Sequence, residues 1–240
     1  MNLVEIFSSI QGEGLYVGSR QVFVRLSGCN LACEYCDTPE SRQPAANARW
    51  EQTPNQRDFC AIPNPVDETW LIQHLNRVLE TPHHSVSFTG GEPLLQAAAL
   101  ERILPRINGT IYLETNGTLP AALAQILPMV QIISMDIKLP SVTGRNNWQE
   151  HQRFLQLAAS RELFVKLVIT NETLPEEIDT ALAMIAAKNT HIPLILQPVT
   201  PNAACRGVSP EKMLQLQEKA LRQLTDVRVI PQTHKLMGQL

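Results

Sequence analysis

Cys29-Asn30-Leu31-Ala32-Cys33-Glu34-Tyr35-Cys36 decides how the rest of this 240-residue sequence is interpreted. Its three thiols have the spacing Cys-x3-Cys-x2-Cys. A [4Fe–4S] cluster normally takes four cysteine ligands, so three on one loop leave one iron free to bind a small molecule. A zinc site would need a fourth cysteine or histidine within loop distance, and none follows. A disulfide framework is disfavoured because the bunched thiols have no partner group. The spacing therefore indicates a [4Fe–4S] cluster with one open iron.

The composition predicts one soluble domain spanning residues 1–240. Hydrophobic residues make up 44% of the chain and the formal net charge is −3, which is enough apolar surface for one core. No basic tract marks a nucleic-acid partner. No apolar run approaches the roughly 20 residues of a membrane span, and residues 1–10 lack the pattern of a signal peptide. Five cysteines, three of them bunched, fit a reducing compartment. We therefore expect a cytoplasmic protein without membrane or nucleic-acid partners.

Strand-like and helix-like segments alternate along most of the chain. The predicted strands are residues 21–27, 85–89, 110–114, 130–135, 163–169, 194–197 and 227–230. Predicted helices lie between them. The first is capped by Asp67, and the others begin near Pro93, Pro120, Trp148, Pro175 and Ser209. This alternation implies a parallel sheet with right-handed crossovers. About six or seven such units are too few for a closed eight-fold barrel. The predicted fold class is therefore α/β, a partial (open) TIM-type β/α barrel.

Two stretches lie outside the alternation of strands and helices. The first contains the glycines on either side of Glu13, which predict either an ordinary N-terminal turn or a backbone that approaches a ligand closely. Residues from about 41 to 65 are rich in Gln, Asn, Pro, Arg and Ala, and we predict an irregular insertion there, with room for a short helix. Long loops of this kind are often lids or binding loops. Cys60, within this stretch, is interpreted as an incidental thiol.

Polar residues and glycines recur directly after the predicted strands. Ligands bind at the carboxyl ends of the strands in parallel α/β folds, so these segments should meet at one rim. They are residues 29–38, 89–92, 114–117, 134–138, 197–200 and 232–235.

The segment Gly90-Gly91-Glu92-Pro93 combines a bare backbone with a carboxylate at a helix start. A ligand amine could bond the backbone carbonyls and Glu92 together. The alternative is a tight strand-to-helix turn in which Glu92 stabilises the helix dipole.

Three other positions suggest binding chemistry. Asp37-Thr38 offers the oxygen ligands that Mg2+ prefers, or else caps the cysteine loop. Gln11, Glu13 and Arg25 suit a heterocycle with amide-like edges and an anionic group. Arg25 alternates with apolar neighbours in its strand, so it should face a partner or an anionic ligand. His234 is the one histidine with an interesting position, because it follows the last predicted strand.

These motifs together resemble the radical S-adenosylmethionine (SAM) superfamily, in which the three cysteines hold the cluster and Gly-Gly-Glu-Pro contacts SAM. Within it, the sequence is similar to the 7-carboxy-7-deazaguanine synthases of queuosine and 7-deazapurine biosynthesis. The segments that carry this narrower resemblance are 9–14, 36–38 and 232–235, and the correspondence runs in order from about residue 5 to the C-terminus.

The resemblance implies a homodimeric lyase that acts on 6-carboxy-5,6,7,8-tetrahydropterin. One electron, from a flavodoxin- or ferredoxin-type donor, would cleave SAM to methionine and a 5′-deoxyadenosyl radical. That radical would take a hydrogen atom from C6 of the pterin, after which the ring contracts and ammonia leaves. SAM is regenerated in this family, and Mg2+ orients the substrate. No side chain beyond the cluster ligands is implied as catalytic.

The resemblance also implies roles for individual residues. The cluster ligands are Cys29, Cys33 and Cys36, and the Mg2+ ligand is Thr38. The expected SAM contacts are Gly91, Glu92, Ser134, Asp136, Lys138 and Gln197. The expected substrate contacts are Ile10, Gln11, Gly12, Glu13, Arg25, Thr89, His234 and Leu240.

The sequence departs from the family pattern in two places. Ser134-Met135-Asp136-Ile137-Lys138 replaces a frequent Ser-x-Lys, so the SAM contact could shift to Asp136 or Lys138. The acidic residue sometimes found after Gln197-Pro198 is absent. The last residue is Leu240 rather than proline, and the terminal carboxylate of Leu240 is expected at the substrate pocket.

Two rival functions remain at this point. A radical SAM activase that installs a glycyl radical on a large partner protein would share the three cysteines, but would leave Gln11, Glu13 and Arg25 without a purpose. A non-catalytic iron–sulfur protein would require a fourth ligand cysteine, for which Cys60 and Cys205 are the candidates.

Overall fold

The backbone is organised by one ten-stranded sheet in the computed structural model, which describes residues 1–202 and 205–239. The strands are β1 Leu3–Ile10, β2 Arg20–Leu26, β3 Asn47–Glu51, β4 Phe59–Pro63, β5 Ser85–Gly90, β6 Ile111–Thr115, β7 Ile132–Asp136, β8 Glu162–Ile169, β9 Leu194–Pro198 and β10 Val227–Val229. Their order across the sheet is β10-β9-β8-β7-β6-β5-β2-β1-β3-β4.

Within the described residues, seven α-helices lie between the strands and an eighth follows β10. They are α1 Glu68–Val78, α2 Ala97–Ile103, α3 Pro120–Ile126, α4 Pro140–Thr143, α5 Trp148–Ala158, α6 Pro175–Lys188, α7 Pro210–Leu221 and α8 Thr233–Leu236. Two of the predicted caps are present: Asp67 accepts a hydrogen bond from the Trp70 N–H at 2.8 Å, and Ser209 accepts one from the Lys212 N–H at 3.2 Å. Capping side chains satisfy donors that the first helical turn leaves unpaired.

The predicted α/β fold class is confirmed. Strands β2, β5, β6, β7, β8, β9 and β10 are mutually parallel along the sheet. The two edge strands, β10 and β4, are not hydrogen-bonded to each other, so the sheet does not close and forms an open, partial barrel. No helix in residues 1–202 and 205–239 combines the length and apolar content that a membrane crossing requires.

A strand that the sequence did not predict opens the chain. β1 pairs antiparallel with β2 over its whole length and lies between β2 and β3. Apolar and polar residues do not alternate regularly in its sequence, Leu-Val-Glu-Ile-Phe-Ser-Ser-Ile, so the period of two that indicates a strand is absent. The predicted turn after it does occur, because Gly14 adopts a φ of +69° at the start of a short 3-10 helix.

The prediction of an irregular insertion over about 41–65 is wrong, because the segment contains the β3–β4 hairpin. β3 adds to the sheet parallel to β1. Trp50 of β3 packs edge-on against Trp70 and His74 of α1, with ring centroids 5.2 and 4.6 Å apart. Tertiary packing of this kind decides the conformation where a short polar sequence has no period of its own.

The interior face of the barrel changes character along the strands. Near the amino ends, Tyr112, Ile132, Phe164 and Ile195 form an apolar layer. Two residues further along β6, β7 and β8, the same face carries Glu114, Ser134 and Lys166, and Asp136 follows two residues after Ser134, because side chains alternate between faces with a period of two. The other face of these strands packs on the helices as the main core. The fold therefore directs its buried polar groups to the carboxyl edge of the sheet.

Candidate active site

A cavity of about 480 Å³ opens at the carboxyl ends of the parallel strands, where the sequence predicted a rim. Its volume lies in the range of small-molecule sites. Its wall includes residues from all six of the polar segments that were expected to converge. The convergence predicted from the sequence is thus found at one site.

The cysteine loop forms one wall of this cavity. Cys29, Cys33 and Cys36 all line it and carry free thiols. The Leu31 N–H lies 3.5 Å from the Cys29 sulfur, and hydrogen bonds to sulfur are among the features that tune iron–sulfur clusters. Burial raises the pKa of Cys29 and Cys33 in the metal-free protein, so iron binding would be accompanied by loss of their protons. The three thiols have the chemistry of a cluster site with three protein ligands.

The remaining cysteines lie elsewhere. Cys60 is on β4, and Cys205 is buried in a small apolar cluster with Val168 and Val199. Neither lines the cavity. Within the described residues, no fourth cysteine reaches the site, as a cluster with an open iron requires.

Two glycines bring the end of β5 against the start of the cysteine loop. Gly90 has a φ of +133°, and a Cβ atom there would lie 2.1 Å from the Leu26 carbonyl oxygen. A Cβ atom on Gly91 would lie 2.2 Å from the Gly28 carbonyl oxygen. No side chain fits at either position. The backbone N–H groups of Gly91 and Glu92 donate to Leu26 and Gly28 at 3.1 and 2.8 Å, which holds the two segments together.

Glu92, one of the predicted SAM contacts, is bound by groups of the protein itself. Its side chain is fully buried and does not line the cavity. Its carboxylate accepts hydrogen bonds from the Leu94 N–H at 3.0 Å, the Thr115 hydroxyl at 2.8 Å and the Asn116 N–H at 2.8 Å. Burial raises its pKa to about 7, although these donors act in the opposite direction. The geometry fits the alternative that the sequence left open, a carboxylate that stabilises the strand-to-helix turn.

The other predicted SAM contacts, Gly91, Ser134, Asp136, Lys138 and Gln197, line the cavity. Lys138 donates to Asp136 Oδ2 at 2.8 Å, and its ammonium lies 5.0 Å from the centre of the Tyr35 ring. Asp136 Oδ1 and Gln197 Oε1 are buried acceptors without a partner among the described residues. Unpaired buried acceptors are costly, so both atoms fit a ligand that brings N–H or O–H donors into the cavity. Hydroxyl and amino groups of SAM match this requirement.

Arg25 has a charged partner, as its position among apolar neighbours predicted, and this partner is Glu5 on the adjacent strand β1. Its Nε donates to Glu5 Oε1 at 2.8 Å, and Arg49 from the hairpin binds Glu5 Oε2 at 2.5 Å. All three residues line the cavity. One carboxylate between two guanidinium groups leaves a formal charge of +1, which favours an anionic ligand.

Gln11 and Thr89 are on the wall of the cavity, where they hold a carboxylate that the sequence analysis assigned no role. The Gln11 amide donates to Glu114 Oε1 at 2.7 Å, and the Thr89 hydroxyl donates to Glu114 Oε2 at 2.8 Å. Gln11 Oε1 also accepts from the Glu13 N–H at 3.0 Å. Gln11 therefore acts within the protein by fixing its neighbours. The sequence placed Glu114 at the end of a predicted strand, in the 114–117 rim segment, but gave no sign of the two side chains that bind it.

The C-terminal segment packs on the loop that follows β1. The Thr233 N–H donates to the Gly12 carbonyl at 2.9 Å, and a Cβ atom on Gly12 would lie 2.3 Å from Nδ1 of His234. Ile10, Gly12 and His234 all line the cavity, as predicted for substrate contacts. Leu240 lies outside the described residues, so its carboxylate remains a sequence-based prediction.

Glu13, on the loop after β1, is bound by a cation and by a side-chain amide. It pairs with Lys166 and accepts from the Gln232 amide at 2.7 Å. Burial alone would raise its pKa, but Lys166, Gln232 and His234 lower it to about 2. Glu13 is therefore ionised throughout the physiological range.

Candidate metal ligands, two carboxylates and one imidazole nitrogen, are gathered beside the cysteine loop. Glu13, Asp37 and His234 each offer one ligand atom, and these atoms lie within 4.8 Å of one another. Thr38, the predicted Mg2+ ligand, lines the same cavity next to Asp37. Carboxylate and hydroxyl oxygens suit this hard ion, which usually keeps waters or substrate oxygens as well.

Comparison with known proteins agrees with this chemistry. A family profile described as a 4Fe-4S single cluster domain matches residues 10–161. A crystal structure of QueE from Escherichia coli has the same fold, with a TM-score of 0.61, 20% identity, and coverage of 97% of this chain and 93% of that one. A radical SAM methyltransferase from Sphaerobacter thermophilus is also similar in fold, with a TM-score of 0.59, 12% identity, and coverage of 95% and 77%. The family match and the three thiols of the cavity define a protein of the 4Fe-4S single cluster class, built on a partial barrel.

Curated relatives give the particular family. A 7-carboxy-7-deazaguanine synthase from Geobacter sulfurreducens is 49% identical over 99% of this chain and 97% of its own length. One from Archaeoglobus fulgidus is 36% identical over 99% and 98%. The chain belongs to the family of 7-carboxy-7-deazaguanine synthases, as its sequence motifs predicted. The roles of individual residues stay predictions.

Replacing each rim cysteine tests the cluster assignment. We expect Cys29→Ala, Cys33→Ala and Cys36→Ala each to lose most of their iron and sulfide after anaerobic reconstitution, because each removes a thiolate ligand. Cys60→Ala is the matched control and should keep wild-type iron content. Iron and sulfide analysis with visible absorption spectra measures this, and full iron retention in the Cys36 variant contradicts the assignment.

Replacing Glu92 with glutamine separates a structural role from ligand binding. The Glu92 carboxylate accepts all three of its hydrogen bonds, so the NH2 group of a glutamine would face a donor. Because one buried hydrogen bond would be lost, we expect the free energy of unfolding to fall by about 1–3 kcal/mol. Urea denaturation measures the effect, with the exposed Glu172→Gln as control. Unchanged stability together with a raised KM for SAM would instead make Glu92 a SAM contact.

Proposed function

We propose that this enzyme converts 6-carboxy-5,6,7,8-tetrahydropterin to 7-carboxy-7-deazaguanine with loss of ammonia. The observation that carries the proposal is that the three cluster thiols and a set of buried polar groups open into the same cavity. Membership of the 7-carboxy-7-deazaguanine synthase family supports the choice of reaction. When bound and given one electron, the cluster and SAM would supply a carbon-centred radical able to abstract a hydrogen atom from the pterin.

The chain's own residues divide the cavity between cofactor and substrate. On the cofactor side, Cys29, Cys33 and Cys36 hold the cluster, and the backbone of Gly91 is bare enough for a close approach by SAM. Asp136 Oδ1 and Gln197 Oε1 accept hydrogen bonds from SAM, which satisfies their unpaired buried oxygens. Ser134 and Lys138 complete this side.

The substrate side recognises an anionic heterocycle. The Arg25 and Arg49 pair around Glu5 binds the pterin carboxylate, which supplies the anion that the remaining positive charge favours. Glu114, held by Gln11 and Thr89, accepts from an N–H edge of the ring. Ile10, Gly12 and His234 close the wall, and Thr38 with Asp37 contributes oxygen ligands to Mg2+.

The remaining residues protect the reaction from water. The apolar layer of Tyr112, Ile132, Phe164 and Ile195 fills the barrel beneath the cavity. Gly14 allows the loop after β1 to press on this layer, because a Cβ atom there would lie 2.5 Å from the Phe164 ring. Enclosure of this kind limits side reactions of a carbon-centred radical.

We further propose that the enzyme works in the cytoplasm as a homodimer and receives its electron from a flavodoxin- or ferredoxin-type protein. The motifs shared with the family and the reducing environment that free cysteines require support this. The activase alternative has no specific observation in its favour. A non-catalytic iron–sulfur protein would need a fourth cysteine at the cavity, where Cys60 and Cys205 do not lie.

An anaerobic turnover assay tests the proposed function. Enzyme with a reconstituted cluster is given SAM, Mg2+, reductant and the carboxypterin, and mass spectrometry follows the deazapurine. We expect product with wild-type enzyme and none with the Cys36→Ala control. Cleavage of SAM with the pterin left intact would show that the enzyme acts on another substrate.

Thr38→Ala tests the magnesium site. Loss of one oxygen ligand should raise the Mg2+ concentration needed for half-maximal turnover by about tenfold, while iron content stays at the wild-type level, because Thr38 is not a cluster ligand. Titration of turnover with MgCl2 measures this, and Thr53→Ala in the hairpin turn serves as control. Loss of iron in the Thr38 variant would assign this residue to folding of the cysteine loop.

A further inference from the structure

We propose that Lys166 is a positioning residue that sets the distance between the SAM side and the substrate side of the cavity by binding Glu13 and Asp136 at once. The inference rests on the proposed function and adds a residue to which the sequence motifs assign no role. Lys166 lies in the middle of β8, whose sequence Glu-Leu-Phe-Val-Lys-Leu-Val-Ile is otherwise apolar after its first residue.

The geometry joins two parts of the chain that are far apart in sequence. The Lys166 ammonium binds Glu13 Oε2, on the loop after β1, and lies 3.3 Å from Asp136 Oδ2 at the end of β7. Its side chain is only 12% exposed. Asp136 is also bound by Lys138 at 2.8 Å, and Glu13 by Gln232 at 2.7 Å. A continuous row of five side chains therefore crosses the cavity, with Lys166 at its centre.

The charge of Lys166 is secured by the two carboxylates it joins. Burial alone would lower its pKa, but Glu13 and Asp136 raise the pKa above its ordinary value, so the ammonium persists in the buried site. In the row, Glu13 has one cationic partner from the barrel wall, whereas Asp136 has both Lys138 and Lys166. Removing Lys166 therefore affects the substrate side more than the SAM side.

The separation of the two sides matters for a hydrogen-atom transfer. Reacting atoms must lie about 3–3.5 Å apart, and a misplacement of 1 Å lowers rates by about a hundredfold. Asp136 belongs to the rigid barrel, whereas Glu13 belongs to a connecting loop. One ammonium bound to both fixes the loop relative to the barrel. Lys166 thus controls how far a substrate held by that loop lies from SAM.

The test is the number of SAM molecules lost per product formed. Because SAM is regenerated in a well-aligned reaction, misalignment should release 5′-deoxyadenosine without product. For Lys166→Met we expect the ratio of 5′-deoxyadenosine to deazapurine to rise at least tenfold and the KM for the pterin to rise several-fold. The KM for SAM should change less than threefold, because Asp136 keeps Lys138. Lys188→Met, at the exposed end of α6, should match the wild type.

A second variant guards against loss of folding. Lys166→Arg keeps the charge but places a wider, planar donor between the carboxylates, so the ratio should rise by a smaller factor with normal iron content and circular dichroism. An unchanged ratio in a folded Lys166→Met protein overturns the proposal. A misfolded Lys166→Met protein combined with wild-type behaviour of Lys166→Arg also overturns it, since the lysine would then serve only folding. Wild-type enzyme that makes no deazapurine refutes the proposed function instead, which the same assay reveals.

Discussion

The site depends on the close contact between the backbones that follow β2 and β5. Gly90 and Gly91 leave no room for a Cβ atom against Leu26 and Gly28, and the hydrogen bonds between these segments fix the root of the cysteine loop on the sheet. Glu92 extends the contact to the end of β6 through Thr115 and Asn116. The cysteines therefore begin from a rigid edge shared by three strands. A loop that must hold a cluster beside a reacting substrate needs such an anchor, because loops on rigid elements keep their geometry.

The charges in the cavity are arranged in two groups with different partners. Around Glu5, two arginines exceed one carboxylate, which prepares a place for an anion. Across the barrel, Lys166 and Lys138 alternate with carboxylates, so these charges are largely balanced internally. Buried ion pairs contribute little to stability because desolvation opposes them. Their value here is in fixing positions, while the remaining unpaired oxygens of Asp136 and Gln197 are left for a ligand.

The sequence predicted the parts of this protein that depend on local pattern, and missed those that depend on distant partners. The seven parallel strands and the cysteine loop have clear periodicity or spacing. β1 and the β3–β4 hairpin do not, since the packing of Trp50 on α1 and the pairing of Arg49 with Glu5 stabilise them only in the folded chain. The same limit applies within the site. Gln11, a predicted substrate contact, lines the cavity, but nothing in the local sequence shows that its amide donates to Glu114. The isolated charge of Lys166 in an apolar strand was the one available signal, and it is the same signal that singled out Arg25.

The proposed reaction requires that this cavity bring the 5′ carbon of SAM within reach of C6 of the pterin. The most direct measurement uses carboxypterin with deuterium at C6 and mass spectrometry of SAM and 5′-deoxyadenosine after anaerobic turnover. With wild-type enzyme that carries its cluster, we expect deuterium in the 5′-deoxyadenosyl group of SAM, of 5′-deoxyadenosine or of both. Cleavage of SAM without any transfer of deuterium, while the deazapurine still forms, would contradict it.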